Sequence, residues 1–141
     1  MPVTYTPIFP QTITNDIATF TSGQGTTITT LYTGGANGSR VESIFVTNTD
    51  TNPYTLNVYV YTPSTSYLLG TINIAASTGN TTTIPTSNLL TYSGNIGSAL
   101  NRDANGNTYL YIASGSIVKV ATTTTIASGK TVTFIAIGGD F

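Results

Sequence analysis

The chain has 141 residues, a formal net charge of −1, no histidine, no cysteine and only 6% charged side chains. That inventory excludes Ser-His-Asp and Cys-His nucleophilic sites, zinc centres built on nitrogen or sulfur, and disulfide staples. It also removes any electrostatic pull towards nucleic acid or an anionic membrane. A hydrophobic content of 39% and a mean hydropathy of +0.14 still supply a core for one domain, whereas disordered chains combine low hydrophobicity with high charge.

In chain order, residues 1–15 come first, with Pro2, Pro7 and Pro10 among Tyr5, Ile8 and Phe9. This pattern predicts an extended N-terminal arm with apolar anchors, lying against its own domain or a neighbouring copy. It has neither the basic nor the apolar region of a signal peptide, and no apolar run in the chain approaches the ~20 residues of a membrane helix. The rest, 16–141, reads as a single domain. Strand signals recur over 18–21, 26–32, 40–49, 54–61, 67–74, 81–84, 109–113, 117–121 and 130–137, rich in β-branched and aromatic residues. The clearest is Tyr54-Thr55-Leu56-Asn57-Val58-Tyr59-Val60-Tyr61, where Leu56, Val58 and Val60 share one face. Glycine- and asparagine-rich clusters break the runs, among them Gly34-Gly35-Ala36-Asn37-Gly38 and Asp103-Ala104-Asn105-Gly106-Asn107. Residues 88–101, with Leu89, Leu90, Tyr92 and Ile96, read as a long loop packed at one end of the domain. Helix signals are nearly absent, because glycine, proline, asparagine or clusters of β-branched residues interrupt most stretches that are long enough. The expected architecture is all-β, an antiparallel β-sandwich or jelly roll of about eight strands.

Threonine makes up about a fifth of the chain, and Thr-x-Thr pairs recur at uneven spacing. An ice-binding solenoid needs a fixed repeat to rank its threonines, so alternation in ordinary strands explains the pairs better. The carboxylates Asp16, Glu42, Asp50, Asp103 and Asp140 could furnish a glycosidase pair, but little charge is available to build such a groove around them. Asp103–Asn107 offers oxygen atoms on alternate residues, yet its glycine stands fourth and Ser114 occupies the place of the bidentate glutamate of an EF-hand, which leaves an Asx-type turn. Gly138-Gly139-Asp140-Phe141 repeats part of a cyclase motif with no cyclase-like sequence before it. Gly23-Gln24-Gly25 leads into no helix and is not a phosphate loop. No catalytic, metal or cofactor site is expected, and the reading is not an enzyme.

The aromatic residues carry more information. Tyr59 and Tyr61 oppose the aliphatic face of their strand, as Tyr109 and Tyr111 oppose Leu110 and Ile112. Such pairs form either a binding face, since tyrosine gives large contact area at low entropic cost, or one side of a core. Arg40 and Glu42 share a face and are expected to pair across strands with Lys119. The candidate interface set is therefore Tyr5, Ile8, Phe9, Arg40, Glu42, Tyr59, Tyr61, Tyr109 and Tyr111.

The run Arg40-Val41-Glu42-Ser43-Ile44-Phe45-Val46-Thr47-Asn48-Thr49-Asp50, then Asp103–Tyr109, Ser128–Thr133 and the closing Gly139-Asp140-Phe141, resembles small β-sandwich structural proteins of tailed bacteriophages. These are turn-and-strand patterns without chemistry of their own, spanning roughly 40–141. The resemblance implies a virion component made in the host cytoplasm: a capsid decoration (cement) protein, forming a homotrimer or other homo-oligomer and contacting the major capsid protein or another virion protein. A neck, tail or head-fibre subunit, or a module binding carbohydrate or a receptor through its tyrosines, is the alternative.

Overall fold

The computed structural model describes residues 9–91 and 94–141. Its strands run in the order β1 (Thr12–Phe20), β2 (Thr29–Thr33), β3 (Ser39–Asn48), β4 (Tyr54–Tyr61), β5 (Ser66–Ile74), β6 (Ser87–Asn88), β7 (Asn101–Arg102), β8 (Thr108–Ile112), β9 (Ile117–Thr122) and β10 (Val132–Asp140). One six-stranded antiparallel sheet has the order β1-β10-β3-β8-β7, with β6 also paired to β3. A four-stranded sheet has the order β2-β9-β4-β5. The all-β sandwich expected from the sequence is the fold that forms.

Period-two alternation builds its core. Val41, Ile44 and Val46 of β3 and Val132, Phe134 and Ala136 of β10 are buried from one sheet, and Leu56, Val58, Val118 and Val120 from the other. Phe20 and Phe134 meet edge to face with ring centroids 5.5 Å apart, an arrangement favoured by the aromatic quadrupole. Within 88–101, Leu89, Leu90 and Ile96 are buried as a packed segment requires, but the stretch is not all loop: Asn88 ends β6, Gly97–Ala99 form a 3-10 turn and Asn101 begins β7. Ile96 lies against Gly70, where an added Cβ would come within 2.6 Å of Ile96 Cγ1. Tyr92 lies outside the described residues.

Two expectations change. Residues 12–15, assigned to the arm, are the first half of β1, in register with Ile137–Asp140 of β10. The prolines that marked an arm stop at Pro10, and every residue of β1 carries a backbone N–H. Residues 81–84 form no strand. The Ile84 N–H donates to Thr81 Oγ1 at 3.2 Å and the Gly79 N–H to the Ile84 carbonyl at 3.0 Å, so local turn bonds outcompete the β preference of threonine.

Between β3 and β4 the chain turns on a buried polar corner. Tyr54 donates its hydroxyl to Asp50 Oδ2 at 2.5 Å and accepts the Ala127 N–H at 3.1 Å. Asn48 Nδ2 donates to the Asn52 and Ala75 carbonyls. The Tyr54 hydroxyl, helped by backbone N–H groups, holds the Asp50 carboxyl below the usual carboxylate range.

Two outcomes test this account. Phe134→Ala should lower the unfolding free energy by about 3–5 kcal/mol in urea denaturation, the cost of an aromatic cavity in a packed core. Tyr54→Phe should also destabilise the protein at neutral pH. Because the Asp50 pKa is depressed in the folded state, its contribution is present above the ordinary carboxylate value and is lost as pH falls through the folded pKa. The gap in thermal midpoint between wild type and Tyr54→Phe should therefore narrow on acidification, and a pH-independent gap would contradict the assignment.

Candidate interaction surfaces

The tyrosine pairs lie on opposite sides of the sandwich. Tyr59 and Tyr61 belong to β4 of the four-stranded sheet, while Tyr109 and Tyr111 belong to β8 of the six-stranded sheet. Each pair alternates with inward aliphatic residues, so each faces outward from its own sheet. They do not form one face. Alternation fixes the side of a strand a residue occupies, and says nothing about which sheet the strand joins.

On the four-stranded sheet the outer face is a lattice of hydroxyls and amides. Thr55 Oγ1 donates to Asn73 Oδ1 at 2.6 Å, Thr71 Oγ1 to Asn57 Oδ1 at 2.7 Å, and Asn57 Nδ2 to Tyr59 Oη at 3.1 Å. Lys119 Nζ sits 3.9 Å from the centroid of the Tyr61 ring, a cation–π contact set by the pairing of β4 with β9. Lys119 is thus on the opposite sheet from Arg40 and Glu42, and their expected pairing with it does not occur.

Arg40 finds its partners within its own sheet. Its Nε lies 2.7 Å from Glu42 Oε1, an ion-pair contact without a straight hydrogen bond, and Nη2 lies 3.6 Å from Asp103 Oδ2. The guanidinium carbon also stands 4.0 Å from the centre of the Tyr109 ring. A register shift between Ile137 and Gly138 of β10 leaves Glu42 as the extra residue of β3, a β-bulge. Asp103 is itself fixed by an Asx-type turn, its Oδ1 accepting the Asn105 and Asn107 N–H groups at 2.9 Å each. Those bonds, from Asn107 first, hold its carboxyl below the usual range.

The largest departure from expectation is on β1, β10 and β3. Ile13 and Ile17 are 82% and 64% exposed. Across the sheet, Ile17 pairs with Ile135 and Ile135 with Phe45, while Asn15 pairs with Ile137. Together these residues make an apolar band on the outer face of the six-stranded sheet, bordered by the row Thr19, Thr133 and Thr47. At its other end Pro10, Ile13, Ile137 and Glu42 line a concavity of about 280 Å³. Pro10 packs on Gly139, where an added Cβ would fall 2.5 Å from Pro10 Cβ. Exposed Phe9 stands just before this point, while Tyr5 and Ile8 lie outside the described residues. The alternation Ile13, Asn15, Ile17, Thr19 against Thr14, Asp16, Ala18, Phe20 was the available sequence signal for this surface.

Near the same sheet end, a polar cluster ties four strands together. Tyr32 donates to Asp140 Oδ1 at 3.0 Å, Ser39 Oγ donates to the same oxygen at 2.5 Å, and Thr14 Oγ1 lies 2.6 Å from the Tyr32 hydroxyl. Burial, and then the charge of Asp140, raise the Asp16 pKa, while burial raises that of Tyr32. Among the described residues no group of three or more His, Cys, Asp or Glu side chains could hold a metal ion.

No family model matches the chain, and no match is found among curated proteins or solved structures.

Proposed function

We propose that this chain is a structural subunit of a tailed-phage virion, of the capsid-decoration type, which works by surface contact as a homo-oligomer. The observation that carries this reading is the apolar band of Ile13, Ile17, Phe45, Ile135 and Ile137, with Ile13 and Ile17 mostly exposed. Large exposed apolar patches rimmed by polar residues mark interaction sites. Its occupant is a second copy of the chain. A net charge of −1 puts up little electrostatic resistance to self-association, and among the described residues the nine-residue β1 is the edge strand of its sheet, the position at which another chain can add by backbone pairing.

The virion assignment rests on the turn-and-strand resemblance over 40–141 and on a surface of neutral hydroxyls and amides, whose contacts respond weakly to salt. On this reading the oligomer then meets the major capsid protein or another virion protein. Tyr59 and Tyr61, on the opposite sheet, would be available for that second contact.

Sedimentation of the purified chain should show an oligomer that the double substitution Ile13→Lys/Ile17→Lys converts to monomer. Losing two buried isoleucines from the contact costs about 3–6 kcal/mol, a change of about a hundredfold or more in dissociation constant. Both sites are exposed, so the monomer should keep its wild-type circular dichroism. A monomeric wild type would overturn the self-association. Mass spectrometry of purified particles from the source of the gene tests the virion role separately, and particles lacking the chain would remove it.

A further inference from the structure

A second surface, independent of the apolar band, is built where β8 meets the segment after β10. Tyr109 and Tyr111 contact edge to face at 4.9 Å between centroids, and the Tyr111 ring continues to Phe141 at 6.1 Å with a 48° tilt. Arg40 stacks on Tyr109, at the inner end of this row of rings. At the outer end Tyr111 is 55% exposed. Two adjoining concavities share Tyr111, Phe141 and Asn37: one of about 630 Å³ that includes Gln11, and one of about 590 Å³ that includes Ser114.

The rim is held in place before any ligand arrives. The Phe141 N–H donates to the Gly38 carbonyl at 3.1 Å, and Asn37 Nδ2 donates to the Phe141 carbonyl at 3.2 Å. Gly38 has a φ of +86°, and its N–H closes a turn onto the Gly35 carbonyl at 3.0 Å. Glycine takes that conformation at no steric cost, which fixes Asn37 beside the ring. Preorganisation of this kind lowers the ordering cost of binding.

From the chemistry of this lining we infer that the Tyr111–Phe141 rim binds a neutral saccharide. Aromatic faces accept the C–H face of a pyranose, and the carboxamides of Asn37 and Gln11 with the Ser114 hydroxyl offer both donors and acceptors to its hydroxyl groups. Among the described residues, neither concavity is lined by a cationic side chain that would compensate an anionic sugar or a phosphate. Arg40, the nearest guanidinium, is engaged by Glu42, Asp103 and Tyr109. A wholly apolar ligand would leave the carboxamides without partners, at a cost in affinity.

The full-length chain should be probed on an array of neutral gluco-, galacto- and manno-oligosaccharides beside sialylated and sulfated ones, with hits measured by titration calorimetry. Binding to a neutral oligosaccharide is expected, weakened at least about tenfold by Tyr111→Ala and also weakened by Asn37→Ala. Tyr67→Ala, on an equally exposed tyrosine (59%) of the other sheet, should leave it unchanged. Binding to no neutral sugar, or to acidic sugars only, overturns the inference, as does binding indifferent to Tyr111→Ala. If Tyr111→Ala dissolves the oligomer and has no effect on sugar, the rim is a subunit contact and the inference again falls. Failure here leaves the Ile13/Ile17 test standing, because the two surfaces use different residues.

Discussion

Strand β10 is hydrogen-bonded to β1 along one edge and to β3 along the other, in nine residue pairs on each side. That double pairing fixes which side chains face in and which face out across the middle of the larger sheet. Val132, Phe134 and Ala136 go to the core. Thr133, Ile135 and Ile137 go to the outer face, where register sets Ile135 between Ile17 and Phe45. A one-residue slip would bury the outer set and expose Phe134, so the core itself enforces the position of the outer band. The end of β10 likewise delivers Asp140 to the Tyr32–Ser39 cluster and Phe141 to Gly38 and Tyr111. Both candidate surfaces are thus consequences of one strand's register.

With so few charges, the chain spends them in particular places. Asp50 is buried among donors from Tyr54 and the backbone, and Asp140 accepts from Tyr32 and Ser39 at the junction of strands from both sheets. A buried carboxylate is tolerated only when its lone pairs are met by donors, and here hydroxyls supply them where a cation is usually found. The abundance of threonine, serine and tyrosine is therefore more than a solvating coat. It is what lets a chain almost without basic residues bury Asp50 and partly bury Asp140. The exposed hydroxyls do something different: on the four-stranded sheet they bond to one another and to asparagine side chains, which gives that face a fixed polar pattern without ions.

What could be read from the sequence depended on whether the signal was local. The strand Tyr54–Tyr61 was legible because its alternation is uninterrupted and neither glycine nor proline breaks it. The Asp103–Asn107 turn was legible because an Asx turn is made by neighbours in sequence. Residues 81–84 misled because threonine favours strands by packing on a sheet, and there no sheet edge competes with the Thr81 hydroxyl for the Ile84 N–H. Residues 12–15 misled because the proline pattern just before them is stronger than the short alternation that follows. The sheet that each tyrosine pair joins, and the partners of Arg40, depend on long-range pairing, which no window of sequence contains. The apolar band has the same origin, since its members come from three strands far apart in the chain.

The arrangement of the larger sheet also explains how two surfaces share one face without merging. A single register row runs Ile13, Gly139, Arg40, Tyr111 across β1, β10, β3 and β8. In that row Gly139 contributes no side chain, so Pro10 settles on it and closes the apolar band at that end. Arg40 comes next, and the bulge at Glu42 brings a carboxylate to it while the Asx turn brings Asp103 from the other side. The result is a small ionic divider, with the isoleucines on one side and the stacked rings on the other. An ion pair half open to solvent adds little to stability, so its value lies in position. It keeps polar atoms between an apolar face suited to another protein copy and an aromatic rim suited to a hydroxylated ligand. Occupation of the one need not cover the other, because the residues that separate them are solvated by their own charges.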